Sequence, residues 1–415
     1  MAAPLHIKRD TCRLCGSRDL PLVLSLTPTP PANSFVPPER LSEPQPCFPL
    51  DIHLCRSCGH LQLVDIVDPD YLFAHYVYTS GAAPVMAAHL QSHARGLIAR
   101  CRLKPDDLVV EVGSNDGTFL RVFRDAGIKI LGVDPARNLA AQANAAGIAT
   151  LPAFFNLETA RAIRAEHGPA KLICANHVFA HAADMQGFID GLGALLAPDG
   201  LFVFEAGYLV DIFEKTLFDT MYHEHIDYHR VGPLRRFFAA NGLELVEAER
   251  VDIQGGAIRG FTARPGAYPV KKAALDALER HEVELGLDRP QAFRDYAQRI
   301  DRCRAELTGL LHQLKAEGRR IAAYGAPAKA TTLMYHFGLD RDAIEYIVDD
   351  SRLKVGLFTP GLHLPVLAVD TIYQRRPDYL VILAWNFAEA IMAKHSAFAA
   401  AGGRFIVPLP KLAVH

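Results

Sequence analysis

The chain has 415 residues, a formal net charge of −2 at pH 7, 50% hydrophobic and 22% charged residues. That balance gives room for two or three folded domains and excludes an intrinsically disordered chain. Near-neutral charge with no dense Lys/Arg block argues against capture of nucleic acid, and no run of about 18 uninterrupted apolar residues marks a membrane span. The N-terminus, Met1-Ala-Ala-Pro-Leu-His-Ile-Lys8, lacks the apolar core of a secretory leader, so a cytoplasmic protein is expected. Eight cysteines are too few and too unevenly placed for a disulfide scaffold.

Along the chain, Cys12-Arg-Leu-Cys15 and Cys55-Arg-Ser-Cys58 come first as two C-x-x-C knuckles. Each can present two thiolates to one tetrahedral cation, which predicts a Cys₄ zinc site made by Cys12, Cys15, Cys55 and Cys58. With all four positions taken by sulfur, such a site is structural. The gap between the pairs, partly filled by the Pro-rich stretch Thr27–Asn33, exceeds the usual ribbon spacing. A redox dithiol is the rival reading, disfavoured because two matched pairs stand outside any thioredoxin-like context. Cys47, Cys101, Cys174 and Cys303 are expected to be buried small hydrophobes.

Residues 84–262 alternate apolar strands (Leu108–Val112, Ile130–Val133, Leu172–Cys174, Gly200–Glu205) with helical stretches such as Asn138–Ala146, which predicts a doubly wound parallel sheet. After the first strand comes Glu111-Val-Gly-Ser-Asn-Asp-Gly117, with a helix expected from about Thr118. Gly113 and Gly117 relieve the turn and let backbone approach a ligand. Asp134 ends the next strand roughly 20 residues on, where a carboxylate accepts from ribose hydroxyls. A dinucleotide cradle, G-x-G-x-x-G, is absent, and Glu111 and Asp116 would repel a pyrophosphate. A sulfonium with an amino-acid ammonium suits this turn better, so S-adenosylmethionine is the expected ligand. Glu111, Gly113, Ser114, Asn115, Asp116, Gly117, Asp134 and Pro135 are candidate contacts, with Phe154 or Phe155 near the adenine. Tyr76, Tyr78 and Thr79-Ser-Gly81 precede this core as packing or as a lid. Asn176 and His181 follow the strand Leu172–Cys174 at the ligand-bearing edge of the sheet.

Tyr222-His-Glu-His-Ile-Asp-Tyr-His229 is unusually polar. H-E-x-x-H fails there, because residue 227 is Asp, so general acid/base chemistry is favoured over metal binding. Residues 271–316 read as helix bridging two domains. A second α/β unit starts at Arg320: Ile321–Tyr324 leads into Gly325-Ala-Pro-Ala-Lys329, and Ile344–Asp350 is another strand ending in carboxylates. Lys329 there can pair with a phosphate, although the turn is not a Walker motif. Tyr379–Asn386 reads as a late buried strand.

Taken together, the chain resembles the nucleotide-sugar C-methyltransferases, enzymes that methylate a carbon of a dTDP-linked 4-keto-deoxysugar. The resemblance runs nearly end to end. It rests on the paired knuckles with Cys58-Gly-His-Leu-Gln-Leu63, the Glu111–Gly117 turn, Asn176 to His181, Phe218-Asp-Thr-Met-Tyr-His-Glu-His225, Gln254-Gly-Gly-Ala-Ile-Arg259, and Gly325–Lys329 with Pro360-Gly361. It implies an α/β protein with an N-terminal zinc-binding domain (1–75), a central Rossmann-like SAM methyltransferase domain (76–265), a helical linker (266–317) and a C-terminal Rossmann-like nucleotide-sugar-binding domain (318–415). It also implies His225 as the favoured base, with Tyr222, Glu224, His181 and Tyr76 around the sugar. Asn176 is then assigned to the donor, and Tyr78, His177, Gln254, Gly325, Ala326 and Lys329 to the substrate. The chain departs from the family pattern at His177, where Asn is expected, and at Gln254, where His is common.

The chemistry fits independently: a carbon next to a ketone is a poor nucleophile until a base removes its proton and donors hold the enolate oxygen. The expected enzyme is a SAM-dependent C-methyltransferase acting at C3 of a dTDP-4-keto-deoxysugar in deoxysugar and antibiotic biosynthesis. Structural zinc is expected, as is a monomer or weak homodimer without nucleic-acid or membrane partners. The rivals are an NADPH-dependent 4-ketosugar reductase, motivated by Gly325 with Asp349 and Asp350, an O- or N-methyltransferase, and a non-catalytic zinc-ribbon binding protein.

Overall fold

The computed structural model describes residues 4–415, so the first three residues of the leader reading lie outside the described residues. The chain forms two compact units interleaved along the sequence. Met1–Pro21, His53–Val210 and Ile226–Arg289 make the first, and Leu22–Ile52, Asp211–His225 and Pro290–His415 the second.

The first unit is built on a seven-stranded sheet. In spatial order its strands are Thr150–Leu151, Lys129–Val133, Leu108–Val112, Ala170–Asn176, Leu196–Gly207, Ala257–Ala263 and Glu244–Val251. Neighbours from Thr150–Leu151 to Leu196–Gly207 run parallel, but Ala257–Ala263 is antiparallel to both strands beside it. The expectation of a purely parallel sheet is corrected at this edge. The link Asp252–Gly256 is far too short for a parallel crossover and can only reverse the chain.

Leu108–Val112 is buried at every position, as a central strand between two helical layers should be. Alternation along Leu201–Phe204 sends side chains to opposite faces. Leu201 and Val203 join Met86, Leu90, Ala94 and Leu97 of the helix Pro84–Cys101 in one core. Phe202 and Phe204 instead meet Phe179 and Phe238. The knuckle region adds two small pairings, His6–Lys8 with Asp65–Val67 and Leu61–Leu63 with Asp227–Tyr228, both antiparallel.

The stretch 271–316, expected as helix, holds two helices, Lys272–Glu284 and Pro290–Ala316. Gly286, at φ 71°, and Pro290, which lacks an amide proton, end one helix and start the next.

The second unit carries a six-stranded sheet ordered Val366–Ala368, Ile347–Asp349, Ile321–Tyr324, Tyr379–Ile382, Arg404–Val407 and Ala413–Val414. It is parallel except for the last strand. Ala322, Tyr324, Val348, Leu380, Ile382 and Phe405 form its core with Ile391 and Phe398. The expected strand Tyr379–Asn386 stops at Ile382, and Trp385–Phe387 is a helical turn. No described helix is long and apolar enough to cross a membrane.

Candidate functional site

In the first unit, Cys12, Cys15, Cys55 and Cys58 present sulfur atoms that all lie within 4.8 Å of one another. Cys12 and Cys58 Sγ are 3.6 Å apart, and Cys15 and Cys55 Sγ 3.5 Å. Cys58 and burial push the Cys12 thiol well up, and burial pushes Cys15 up to about 11. Thiols so crowded hold their protons unless a cation takes the thiolates, and four sulfurs in this arrangement fit zinc. Among the described residues this is the one set of three or more His, Cys, Asp or Glu side chains placed to share an ion. Cys174 is buried as expected, but Cys101 and Cys303 are half-buried and Cys47 is exposed, which corrects the apolar reading of Cys47.

The Gly113–Gly117 turn follows the strand Leu108–Val112, and the helix after it starts at Leu120 rather than Thr118. Asp116 Oδ1 accepts from both the Thr118 amide and hydroxyl, which holds the chain in a turn for two more residues. Gly113 and Gly117 sit at φ 69° and 75°, and a Cβ on them would run into Val178 and Ile148 respectively. The glycines are therefore required by backbone conformation and packing, not only by approach of a ligand.

Asp134 Oδ2 accepts from the Asn115 amide at 2.7 Å and Oδ1 from the Ala136 amide at 2.8 Å. Each oxygen keeps a second lone pair for a hydroxyl. Glu111 is buried beneath the turn and takes a bond from Asn176 Nδ2 at 2.9 Å. Burial pushes its pKa well up, Asn176 opposes this, and Asp134 and Asp116 raise it further. Glu111 Oε2, Ser114 Oγ and Asn176 Oδ1 are buried without a hydrogen-bond partner among the described residues. Acids gathered around orphaned polar atoms fit a cationic ligand with ammonium and hydroxyl donors.

Asn115 and Asp116 also hold the preceding segment. Asn115 accepts from the Ser80 amide and donates to Tyr78 O, and Asp116 accepts from the Gly81 amide. Asn138 clamps Tyr76 in the same way, bonding its amide and its carbonyl. Residues 76–81 are thus fastened beside the turn. Burial pushes the Tyr78 hydroxyl up to about 12, so it is a neutral donor. Phe73 stacks on His181 at 5.8 Å and meets Tyr76 at 5.8 Å, which gathers Tyr76 and His181 around one ring. Phe155 is core, edge-on to Phe188, whereas Phe154 is 37% exposed and is the ring open to a base. Pro135 follows Asp134 directly.

His177, at φ 55°, donates its amide to Glu205 O, and its ring lies 3.6 Å from the Glu205 carboxylate. Glu205 also meets His89 at 2.8 Å and Arg259 at 2.7 Å. Burial opposes ionisation, but the histidines hold the carboxyl well below its usual range. Of this cluster only His177 and Arg259, the end of the Gln254–Arg259 motif, carry a signal in the sequence. Gln254 is exposed at φ 52°, in the reversal that makes the antiparallel edge.

The second unit holds the Tyr222–His225 pair. His225 Nδ1 lies 2.7 Å from Thr220 O, and its Nε2 3.1 Å from Tyr222 Oη. A carbonyl only accepts, so Nδ1 carries the proton and Nε2 is the basic nitrogen, facing the tyrosine hydroxyl. Glu224 is buried and accepts from Asn33 Nδ2 at 2.7 Å. His223 is core, edge-on to Phe48.

Lys329 is buried in the first turn of the helix Ala328–Phe337, its Nζ 3.6 Å from the Trp385 ring centroid. It has no hydrogen-bond acceptor among the described residues, and burial pushes it down to about 8 while Asp219 opposes the shift. Asp219 in turn accepts from Trp385 Nε1 at 2.6 Å. The Ala326 amide, after Gly325, donates to Asp349 Oδ2 at 2.6 Å, and Lys354 Nζ reaches Ala326 O at 2.8 Å. Asp350 is engaged by Tyr324 and Lys394. Asp349 and Asp350, which with Gly325 motivate the reductase reading, are both bonded to groups of the chain itself. Asn33, Asp219, Lys354 and Trp385 were missed, because each becomes informative only through a partner distant in sequence.

Family models match three consecutive stretches: a zinc binding domain over residues 12–73, a methyltransferase domain over 86–248 and a C-methyltransferase C-terminal domain over 252–410. A curated relative, C-methyltransferase NovU of Streptomyces niveus, is 38% identical over 97% of this chain and 96% of its own. Among solved structures, magnesium protoporphyrin IX methyltransferase from Synechocystis with bound SAM is 14% identical over 43% of this chain and 79% of its own, TM-score 0.33. A SAM-dependent methyltransferase from Anabaena variabilis is 16% identical over 44% and 86%, TM-score 0.35.

Proposed function

The chain belongs to the C-methyltransferase family, as a SAM-dependent enzyme with a four-cysteine zinc-binding region, and from that premise we propose that it methylates C3 of a dTDP-linked 4-keto-deoxysugar. S-adenosylmethionine, when bound, supplies an electrophilic methyl group on a sulfonium. Asp134 accepts from the ribose hydroxyls, Glu111 and Asn176 meet the cationic amino-acid end, and Phe154 flanks the adenine. Ser114, Asn115, Asp116 and Pro135 shape the turn around them.

The observation that carries the mechanism is the fixed tautomer of His225, with Nδ1 on Thr220 O and Nε2 facing Tyr222 Oη. Nε2 takes the proton from the sugar carbon beside the ketone. Once Nε2 is protonated it donates to Tyr222 Oη, which frees the hydroxyl proton for the developing enolate oxygen; the resemblance also assigns His181 and Tyr76 to the sugar. Glu224, anchored by Asn33, orients the segment. The conjugate imidazolium keeps Nδ1–H on Thr220 O, so protonation needs no ring flip. Lys329 pairs with a phosphate of the nucleotide; its buried amine lacks an acceptor among the described residues, which a phosphate oxygen would provide. Gly325 and Ala326, whose amides donate to Val348 O and Asp349 Oδ2, are assigned to the substrate with Tyr78, His177 and Gln254. The proposed domain boundaries are 1–75, 76–265, 266–317 and 318–415.

Exchange of the C3 proton with heavy water, followed by NMR in the presence of S-adenosylhomocysteine, tests the base. Wild type should exchange it, and His225→Asn should exchange it about 10²–10⁴-fold more slowly while S-adenosylmethionine affinity holds. Exchange at the wild-type rate would place the base elsewhere.

A further inference from the structure

Arg13 lies between the first two knuckle cysteines, yet its guanidinium is fully buried and points away from them. Its Nε lies 3.0 Å from both oxygens of Asp227. Its other nitrogens donate to Ala183 O at 3.1 Å and to Ala182 O. Those two carbonyls end the helical turn Phe179–His181. The second knuckle reaches the same carboxylate, since His60, two residues past Cys58, bonds Asp227 Oδ1 at 2.7 Å. Asp227 pairs in a short ladder with Gln62, whose Oε1 accepts the Arg13 amide at 2.8 Å. The opposite side of the turn is tied by the Ile226 amide to Ala180 O at 3.0 Å, and His229 stacks on Phe179 at 4.8 Å. Despite burial, the Arg13 charge and the His60 bond hold the Asp227 carboxyl low, so this is a buried ion pair. Breaking such a pair by removing one partner is costly, because the other is left buried and charged.

We infer that Arg13 is a positioning residue, which uses the geometry of the two cysteine knuckles to lock the Phe179–His181 turn and with it the His181 ring. The inference rests on the role proposed above for His181. It gives the zinc region a duty beyond holding its own fold: one side chain from each knuckle converges on a single carboxylate, and Arg13 alone continues to the turn. A guanidinium suits this task, since it can grip a carboxylate and two carbonyls at once, whereas an ammonium cannot span them.

The test is hydrogen–deuterium exchange on the zinc-loaded protein, with zinc content and S-adenosylhomocysteine affinity measured on the same samples. Arg13→Met is expected to raise amide exchange in the peptide covering residues 178–184 by about tenfold or more, with zinc content and ligand affinity unchanged. Arg13→Lys should lie between wild type and Arg13→Met, and serves if the methionine variant does not fold. Arg236→Met removes a bond to Cys58 O and leaves Asp227 untouched, so it should leave the peptide as in wild type. Unchanged exchange in both Arg13 variants, or equal loosening in Arg236→Met, overturns the inference. With a dTDP-4-keto-6-deoxysugar, Arg13→Lys should lower kcat by about 10-fold or more with KM nearly constant, as expected when a group needed in the transition state is displaced. Wild type that is inactive on that sugar sinks the substrate reading, while the exchange data still decide the role of Arg13.

Discussion

His225 illustrates how much chemistry one carbonyl fixes. Because Thr220 O takes the Nδ1 proton, the basic nitrogen is defined before any substrate arrives, and the Tyr222 hydroxyl is held against it. Tyr222→Phe should therefore reduce turnover by about 10²–10³-fold, the range for losing one oxyanion donor, with donor affinity unchanged; steady-state kinetics beside calorimetry would show it. At the donor turn, Asp134→Ala should weaken S-adenosylmethionine by about 1–3 kcal/mol, the cost of a charge-assisted bond left unmade. That substitution also frees the Asn115 and Ala136 amides, so Asp134→Asn is the cleaner comparison in the same titration. Unchanged affinity in both variants would remove Asp134 from the ribose. These residues were legible because their signals are local: a polar run inside an apolar domain, and a carboxylate ending a strand. Asn33, Trp385 and Lys354 were not, since their partners Glu224, Asp219 and Ala326 are remote in sequence.

At the scale of elements, the knuckles and the glycine turn behave as built parts. Cys12→Ser and Cys55→Ser should each lose the bound zinc and lower the thermal midpoint, because the metal joins two segments whose shared apolar cluster is little more than the cysteines themselves. Metal analysis with calorimetry checks both, and full zinc retention would contradict the assignment. Gly113→Ala should destabilise the protein by about 1–3 kcal/mol, since alanine is strained at positive φ and its methyl meets Val178. A urea titration reads this without any ligand. Strand existence along Leu108–Val112 and Ala170–Asn176 followed directly from apolar runs. The antiparallel edge did not, because apolar pattern carries no strand direction, and only the shortness of Asp252–Gly256 encoded the reversal. The helical character of 271–316 is legible in its interleaved apolar and charged residues, and Gly286 and Pro290 mark the break between its two helices.

For the whole molecule, buried titratable groups set the acid limit. Burial pushes the pKa of His93 and of His229 down to about 3 from 6.5. A folded-state pKa depressed below the unfolded value means that the unfolded chain binds the extra proton. Stability is then full above about pH 6.5 and is lost as pH falls toward 3. Asp227 and Glu205, held low by their cationic neighbours despite burial, continue the loss below the ordinary carboxylate range. Urea midpoints should hold above about pH 6.5 and fall from there to pH 4, with zinc content followed in parallel because thiolate ligands also protonate. A flat response down to pH 5 would contradict it. The interleaving of the two units was beyond the sequence, since residues 22–52 and 211–225 join Pro290–His415 through contacts that no local pattern announces. The most direct test of the central claim is to incubate the protein with S-adenosylmethionine carrying a ¹³C methyl and a dTDP-4-keto-6-deoxysugar, and to read the product by NMR. The account predicts a labelled methyl bonded to C3 of the sugar; a methyl on oxygen or nitrogen, or a reduced ketone with no methyl, would contradict it.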